Sequence, residues 1–212
     1  MTTDKKSALV TGGSGTLGSA MAQALAANGW RVAVHYHRGQ ESADHVVESI
    51  LAAGGEALAV AADLSSQSEA AALFQRIEKS FGPLDCLVNN AGINRDVLLA
   101  FMTEEQWDEV IDTNLRATYV CSRLAVLEMM RHGGGSICNI ASPSGVRGQA
   151  GQCNYAASKG GIIAFTKSLA REVGRFNIRV NAVCPGVVPS PMSASLWGDL
   201  AGRKRSLRWS LF

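Results

Sequence analysis

With 212 residues, 47% of them hydrophobic and 18% charged, the chain has the size and composition of one compact domain, not of a disordered segment. A chain of this length buries roughly 70% of the surface its unfolded form exposes, so its core requires neither disulfide nor metal. A formal net charge of +2 is too small to draw it onto nucleic acid or a membrane through its overall field, and no run of about 18 apolar residues is present to span a bilayer.

The five cysteines (Cys86, Cys121, Cys138, Cys153 and Cys184) are widely spaced with no CxxC pair, the pattern of free thiols in a reducing cytosol. The opening MTTDKKSALVTGG has no apolar core of the kind a signal peptide carries, so a cytoplasmic protein is expected.

Taken in chain order, short apolar runs alternate with longer amphipathic stretches. The first strand, Ala8–Val10, runs straight into Thr11-Gly12-Gly13-Ser14-Gly15-Thr16-Leu17-Gly18 and a helix over Thr16–Asn28. Gly13, Gly15 and Gly18 have the GxGxxG spacing in a strand–turn–helix setting. Glycines there let the backbone approach a pyrophosphate, and the helix N-terminus offers free N–H groups and a positive dipole end. Gly12, Ser14, Gly15, Thr16, Leu17 and Gly18 are the candidate contacts. A second strand, Arg31–Tyr36, ends in His37-Arg38 before a helix over Glu41–Ala53. No carboxylate stands there to bind a free ribose 2′-hydroxyl, while Arg38 can pair with a 2′-phosphate, so NADP(H) is favoured over NAD(H).

The third strand, Ala57–Ala61, leads to Asp63-Leu64, where a carboxylate can accept from an adenine amino group, although an Asp there also suits a plain turn. After a helix over Gln67–Phe81, the fourth strand, Cys86–Val88, opens into Asn89-Asn90-Ala91-Gly92. Small residues there make room for a cofactor, and Asn90 can hydrogen-bond backbone or ribose. A helix over Glu104–Arg131 follows, then the strand Ser136–Ile140, a helix over Asn154–Phe176 and the strand Arg179–Val183. Strands without polar alternation are buried on both faces. Six such alternations predict a single α/β domain over 1–192, a doubly wound parallel sheet with ligands at the carboxyl ends of its strands. Residues 193–212 read as a separate, atypical tail with a basic, Trp-containing end.

The chemistry is carried by Tyr155-Ala-Ala-Ser158-Lys159 on the last long helix. Residues four apart share a helix face, so the ammonium of Lys159 can lie near the Tyr155 hydroxyl. A unit charge ~5.5 Å away at an effective dielectric of ~20 is worth about 3 kcal/mol, which predicts a phenol pKa about two below its ordinary 10 and within reach of acid–base work. Ser142, thirteen residues earlier at the end of the fifth strand, can hold a substrate oxygen, with Ser144 as its competitor. Asn114 is polar in an otherwise apolar helical pattern and can bind a water that passes protons to Lys159.

Val10–Gly18, Asp63, Asn89–Gly92, Asn114, Ser142, Tyr155, Lys159 and Pro185-Gly186 together resemble the short-chain dehydrogenase/reductase family over about residues 7 to 192. NNAG with YxxxK is highly specific for it. Within the family, Asn89–Asp96 (NNAGINRD) and Gly148–Lys159 (GQAGQCNYAASK) look most like bacterial 3-oxoacyl-[acyl-carrier-protein] reductases, with acetoacetyl-CoA reductases similar in the same places. The resemblance implies a Rossmann-type fold and a catalytic tetrad of Asn114, Ser142, Tyr155 and Lys159. It implies that Lys159 also holds a nicotinamide ribose and that Pro185, Gly186 and Val188 line the nicotinamide pocket. An acyl thioester substrate, possible acyl carrier protein binding and a homodimer through the two long helices are further implications.

Two departures stand out. The family's glycine loop is TGxxxGxG, but Thr16 occupies the middle glycine position. Relatives also continue for a few dozen residues past the Pro-Gly segment, through a substrate lid and a last strand. Leu196–Phe212 resembles nothing in that extension, so a truncated or altered end is expected. Three readings follow from these features: an active ketoreductase, a cofactor-binding but catalytically weak remnant, and a sensor of NADP(H). A dehydrogenase or reductase of another carbonyl or alcohol also remains open.

Overall fold

The computed structural model describes residues 5–190. Strands β1 (Ser7–Val10), β2 (Arg31–Tyr36), β3 (Glu56–Ala61), β4 (Cys86–Asn89), β5 (Gly135–Ile140) and β6 (Ile178–Val183) alternate with helices α1 (Thr16–Ala27), α2 (Gln40–Ala52), α3 (Gln67–Phe81), α4 (Glu104–Ile111), α5 (Ala117–His132), α6 (Ser144–Arg147) and α7 (Cys153–Val173). The six strands are all parallel, in the order β3-β2-β1-β4-β5-β6. This is the expected doubly wound Rossmann-type sheet, and the strand order reverses between β1 and β4, where a crevice opens at the carboxyl ends.

The lack of polar alternation in the strands has its explanation in the packing. Along β1, Leu9 enters one core with Leu87, Ile137, Ile77 and Met129, while Ala8 and Val10 enter the other with Val32, Val34 and Ile50. Successive side chains point to opposite faces, and both faces of this strand are covered. Leu9 lies beside Ala33 on β2 and Leu87 on β4, all three fully buried.

The predicted Glu104–Arg131 helix is interrupted. Asp112–Arg116 form a π-helical turn between α4 and α5, with Asn114 at its centre. A 3.6-residue pattern passes over such an extra residue without trace, and π turns are frequent at functional sites. The short helix α6 and a 3-10 turn at Leu99–Phe101 were also absent from the predicted elements, being too brief for periodicity to register. Two helix starts carry side-chain caps: Ser66 accepts from Glu69 N–H at α3, and Thr103 and Gln106 form a capping box at α4. Among the described residues no helix is long and apolar enough to cross a membrane. The tail assigned to 193–212, including Leu196–Phe212, lies outside the described residues.

Candidate active site

The crevice is a cleft of about 680 Å³. Its floor is the glycine turn after β1. Gly12 has φ +60°, and a Cβ there would meet the Ala91 Cα at 2.9 Å; a Cβ on Gly18 would strike the Gly12 carbonyl at 2.1 Å. Gly13 is pressed against Val34, with 2.9 Å to its Cγ1. Gly15, by contrast, is extended (φ −79°) and has ordinary space. The obligatory glycines are therefore Gly12, Gly13 and Gly18, not the Gly13, Gly15 and Gly18 that GxGxxG spacing selects. Val34 of β2 crowds Gly13 and Ala91 after β4 crowds Gly12, while Gly18 is closed off mainly by Gly12 and Gly13 of the turn itself; Gly15 is left open.

The ends of β1 and β4 are stitched together at this turn. The Thr11 hydroxyl accepts from the N–H groups of Asn90 and Ala91 at 2.9 and 3.0 Å, and the Asn90 amide donates to the carbonyls of Thr11 and Gly12 at 2.9 and 3.0 Å. Backbone is thus one partner of Asn90. His35 completes the brace. Its ring is 2% exposed, its Nδ1 accepts from Gly12 N–H at 3.0 Å, and its Nε2 donates to Ala62 O at 3.0 Å. Burial lowers its pKa to about 4, so the ring is neutral. Sequence reading passed over His35; the signal was a polar residue inside the apolar run RVAVHY.

Helix α1 starts at this turn without a side-chain cap and with no acidic residue in its first turn, while Ser14, Gly15, Thr16 and Leu17 face the cleft. Its unsatisfied N–H groups and positive dipole end suit the pyrophosphate of a dinucleotide, so the residues present fit such a cofactor. Arg38, Asp63 and Leu64 do not line the cleft. Arg38 is exposed at the end of β2. Asp63 closes a turn, its Oδ1 accepting from Ser65 N–H and Oγ at 2.9 and 2.7 Å; these bonds, first the hydroxyl's, hold its carboxyl below the usual range. The Leu64 side chain is buried in the core beside Ala62 and Leu73.

Opposite the turn, β5 and α7 bring Ser142, Tyr155 and Lys159 to one wall. Ser142 and Tyr155 are close enough on this wall for the serine hydroxyl to act on the phenol. Lys159 is 4% exposed, donates to Ile140 O at 2.8 Å, and lies 5.7 Å from the centre of the Tyr155 ring. Burial lowers the Lys159 pKa to about 8, which still leaves it a cation at neutral pH. The Tyr155 phenol differs from expectation: burial pushes its pKa up, opposed by the Ser142 hydrogen bond and assisted by the Asp96 charge. Desolvation is the largest influence, and the phenol stays protonated.

Ser144 does not compete with Ser142 for the tyrosine, since its hydroxyl is turned to Gln152 at 3.0 Å. Asn114 is fully buried. Its amide donates to Ile93 O and Ser158 Oγ, both at 3.0 Å, and its Oδ1 accepts from Ile93 N–H at 2.8 Å. It approaches Lys159 across Gly92, where a Cβ would meet Asn114 Oδ1 at 3.1 Å and Lys159 Nζ at 3.4 Å. Pro185, Gly186 and Val188 line the cleft, as do Ala91 and Gly92. Gln152, Asn94 and Arg147 also line it and were not singled out from sequence.

A nucleotide-binding turn facing a Ser–Tyr–Lys wall across a doubly wound sheet defines a nicotinamide-dependent oxidoreductase. The chain belongs to the short-chain dehydrogenase family, whose model matches residues 6–201. Among its relatives, the 3-oxoacyl-[acyl-carrier-protein] reductase FabG of Staphylococcus aureus is 46% identical over 92% of this chain and 79% of that protein. The 3-oxoacyl-[acyl-carrier-protein] reductase of Synechocystis is 44% identical over 89% and 76%. A short chain dehydrogenase from Mycobacterium avium superposes with a TM-score of 0.82 at 39% identity, covering 86% of this chain and 68% of that one.

Proposed function

We propose that this chain is an NADPH-dependent reductase that converts a 3-oxoacyl thioester, linked to acyl carrier protein or coenzyme A, to the 3-hydroxyacyl product. The observation that carries this reading is the Ser142, Tyr155 and Lys159 wall lining the same cleft as the uncapped start of α1. It puts a proton donor within one site of an anion-binding turn.

A bound nicotinamide dinucleotide would supply the hydride. The protein's part is to hold the carbonyl and provide the proton. Ser142 donates a hydrogen bond to the substrate oxygen, and Tyr155, protonated at neutral pH, transfers its proton as negative charge develops there. Lys159 stabilises the tyrosinate left behind and offers its remaining N–H groups to a ribose. Asn114 fixes the π turn against Ile93 and shapes the space around Lys159. Ser14, Gly15, Thr16 and Leu17 receive the pyrophosphate; Gly12, Gly18 and Asn90 shape the turn; Pro185, Gly186 and Val188 flank the nicotinamide.

The preference for NADPH rests on the end of β2, which carries Arg38 and no carboxylate. Arg38→Ala should weaken NADPH binding about 10- to 100-fold, or about 1.5–3 kcal/mol, and NADH binding much less. Equal losses in a fluorescence titration would show that Arg38 does not read the phosphate. A cytoplasmic location is part of the proposal, in keeping with five unpaired cysteines. So is a homodimer through the two long helices.

The test is NADPH oxidation with acetoacetyl-CoA, run beside a cofactor-binding titration. Turnover is the expected result. Cofactor binding without turnover on any 3-oxoacyl thioester would overturn the reductase assignment in favour of a remnant or a sensor.

A further inference from the structure

Asn89–Asp96 and Gly148–Lys159, which carry the likeness to acyl thioester reductases, meet beside the catalytic wall. Val97 N–H donates to Gly151 O at 2.8 Å. Just beyond that joint lies Gln152, 4% exposed although it carries a polar amide. Its Nε2 donates to both oxygens of Asp96, at 3.2 and 3.1 Å, and its Oε1 accepts from Ser144 Oγ at 3.0 Å. The Ser144 backbone N–H then donates to Ser142 Oγ at 3.1 Å, and Ser142 shares the cleft wall with Tyr155.

Every link from Asp96 to Ser142 has one possible direction. A carboxylate only accepts, so the amide must present its NH₂ to Asp96 and its carbonyl to Ser144. The carbonyl only accepts, so the Ser144 hydroxyl must donate. A backbone N–H only donates, so Ser142 Oγ receives a hydrogen bond on one lone pair. With that side filled, the Ser142 proton points away, toward Tyr155 and the position of a substrate oxygen.

We propose that Asp96 and Gln152 are positioning residues that, through Ser144, fix the direction in which Ser142 donates its proton. The idea rests on the reductase reading above, in which Ser142 holds the substrate carbonyl. Neither residue touches the reacting atoms. Their effect is to prevent a serine hydroxyl, otherwise free to rotate, from spending its proton elsewhere. Preorganised donors of this kind contribute because no reorientation is needed as charge develops.

The test is a double-mutant cycle. Asp96 is exposed, so Asp96→Ala leaves the core intact; Gln152→Met, of similar volume without the amide, serves as the second variant. Each should lower kcat about tenfold, with the KM for NADPH unchanged within about twofold. In a Ser142→Ala background both substitutions should have no further effect, because the group they act through is gone. A loss of the same size in both backgrounds would overturn the proposal, since a general structural defect is additive. No loss in the native background would overturn it too. Crystal structures of the variants read the same point without activity: Ser142 Oγ should leave Tyr155, and an unmoved Ser142 in both variants would refute the mechanism. A failure of the reductase reading appears separately, as absent turnover in the unmodified chain.

Discussion

At the scale of single residues, the two titrating groups that matter most are held in opposite ways by the same cause. Burial keeps the Tyr155 phenol protonated and the His35 ring neutral. For Tyr155, a protonated side chain is the form a reduction needs. Tyr155→Phe should lower the reduction rate by at least about 100-fold, with NADPH affinity nearly unchanged, because the phenol is a proton donor and not a cofactor anchor. Stopped-flow turnover with a parallel binding titration checks this, and activity within tenfold of the unmodified chain would contradict the role. For His35, the folded pKa of about 4 lies below the ordinary 6.5, an effect of desolvation first, eased by the Ala62 carbonyl and by Asp63 and reinforced by His37. The unfolded chain thus binds more protons between those values, so the contribution is complete above 6.5 and is lost as pH falls toward 4. From pH 7 to 5 the unmodified chain should lose about 2 kcal/mol more than His35→Gln, read from urea midpoints at each pH. Equal slopes would show that the ring is not held neutral.

At the scale of elements, the turn into α1 is where backbone and ligand requirements coincide. Gly18→Ala places a Cβ 2.1 Å from the Gly12 carbonyl, a backbone atom that cannot step aside cheaply. Gly15→Ala occupies an extended position with space around it. The first should destabilise by about 1–3 kcal/mol or more and abolish cofactor binding; the second should cost under about 1 kcal/mol. Thermal melts of the two variants decide it, and equal effects would mean that the turn rearranges. The π turn of Asp112–Arg116 belongs to the same scale, since it lets one asparagine bury its whole amide against Ile93 without breaking the path from α4 to α5.

At the scale of the whole molecule, α5 leaves Tyr119, Leu127 and Met130 exposed, beside a groove walled by Phe74 of α3 and Leu124. With α7, this is the surface the proposed dimer would bury. Light scattering coupled to size exclusion should give twice the chain mass across a tenfold range of concentration. Arg substituted for Leu127 should shift that toward monomer, since a charge is costly to bury at an apolar contact. A monomer at every concentration would refute the assembly.

What the sequence determined by itself is the part of the protein written in local pattern. Strand runs without polar alternation announced a sheet covered on both faces, and all six strands lie within a residue or two of their predicted places. Tyr155, Lys159 and Ser142 were legible because a four-residue helical spacing and a strand end are local facts. Tertiary structure alone decided the rest. That Gly12 and Gly13 are obligatory depends on Ala91 and Val34, brought from other strands. Leu64 belongs to the core because α3 packs over it, and His35 and Gln152 acquire roles only when Gly12, Ala62, Asp96 and Ser144 arrive from distant positions. The direction of the Tyr155 shift has the same origin: charge proximity can be counted along a helix, but desolvation is set by everything that folds around it.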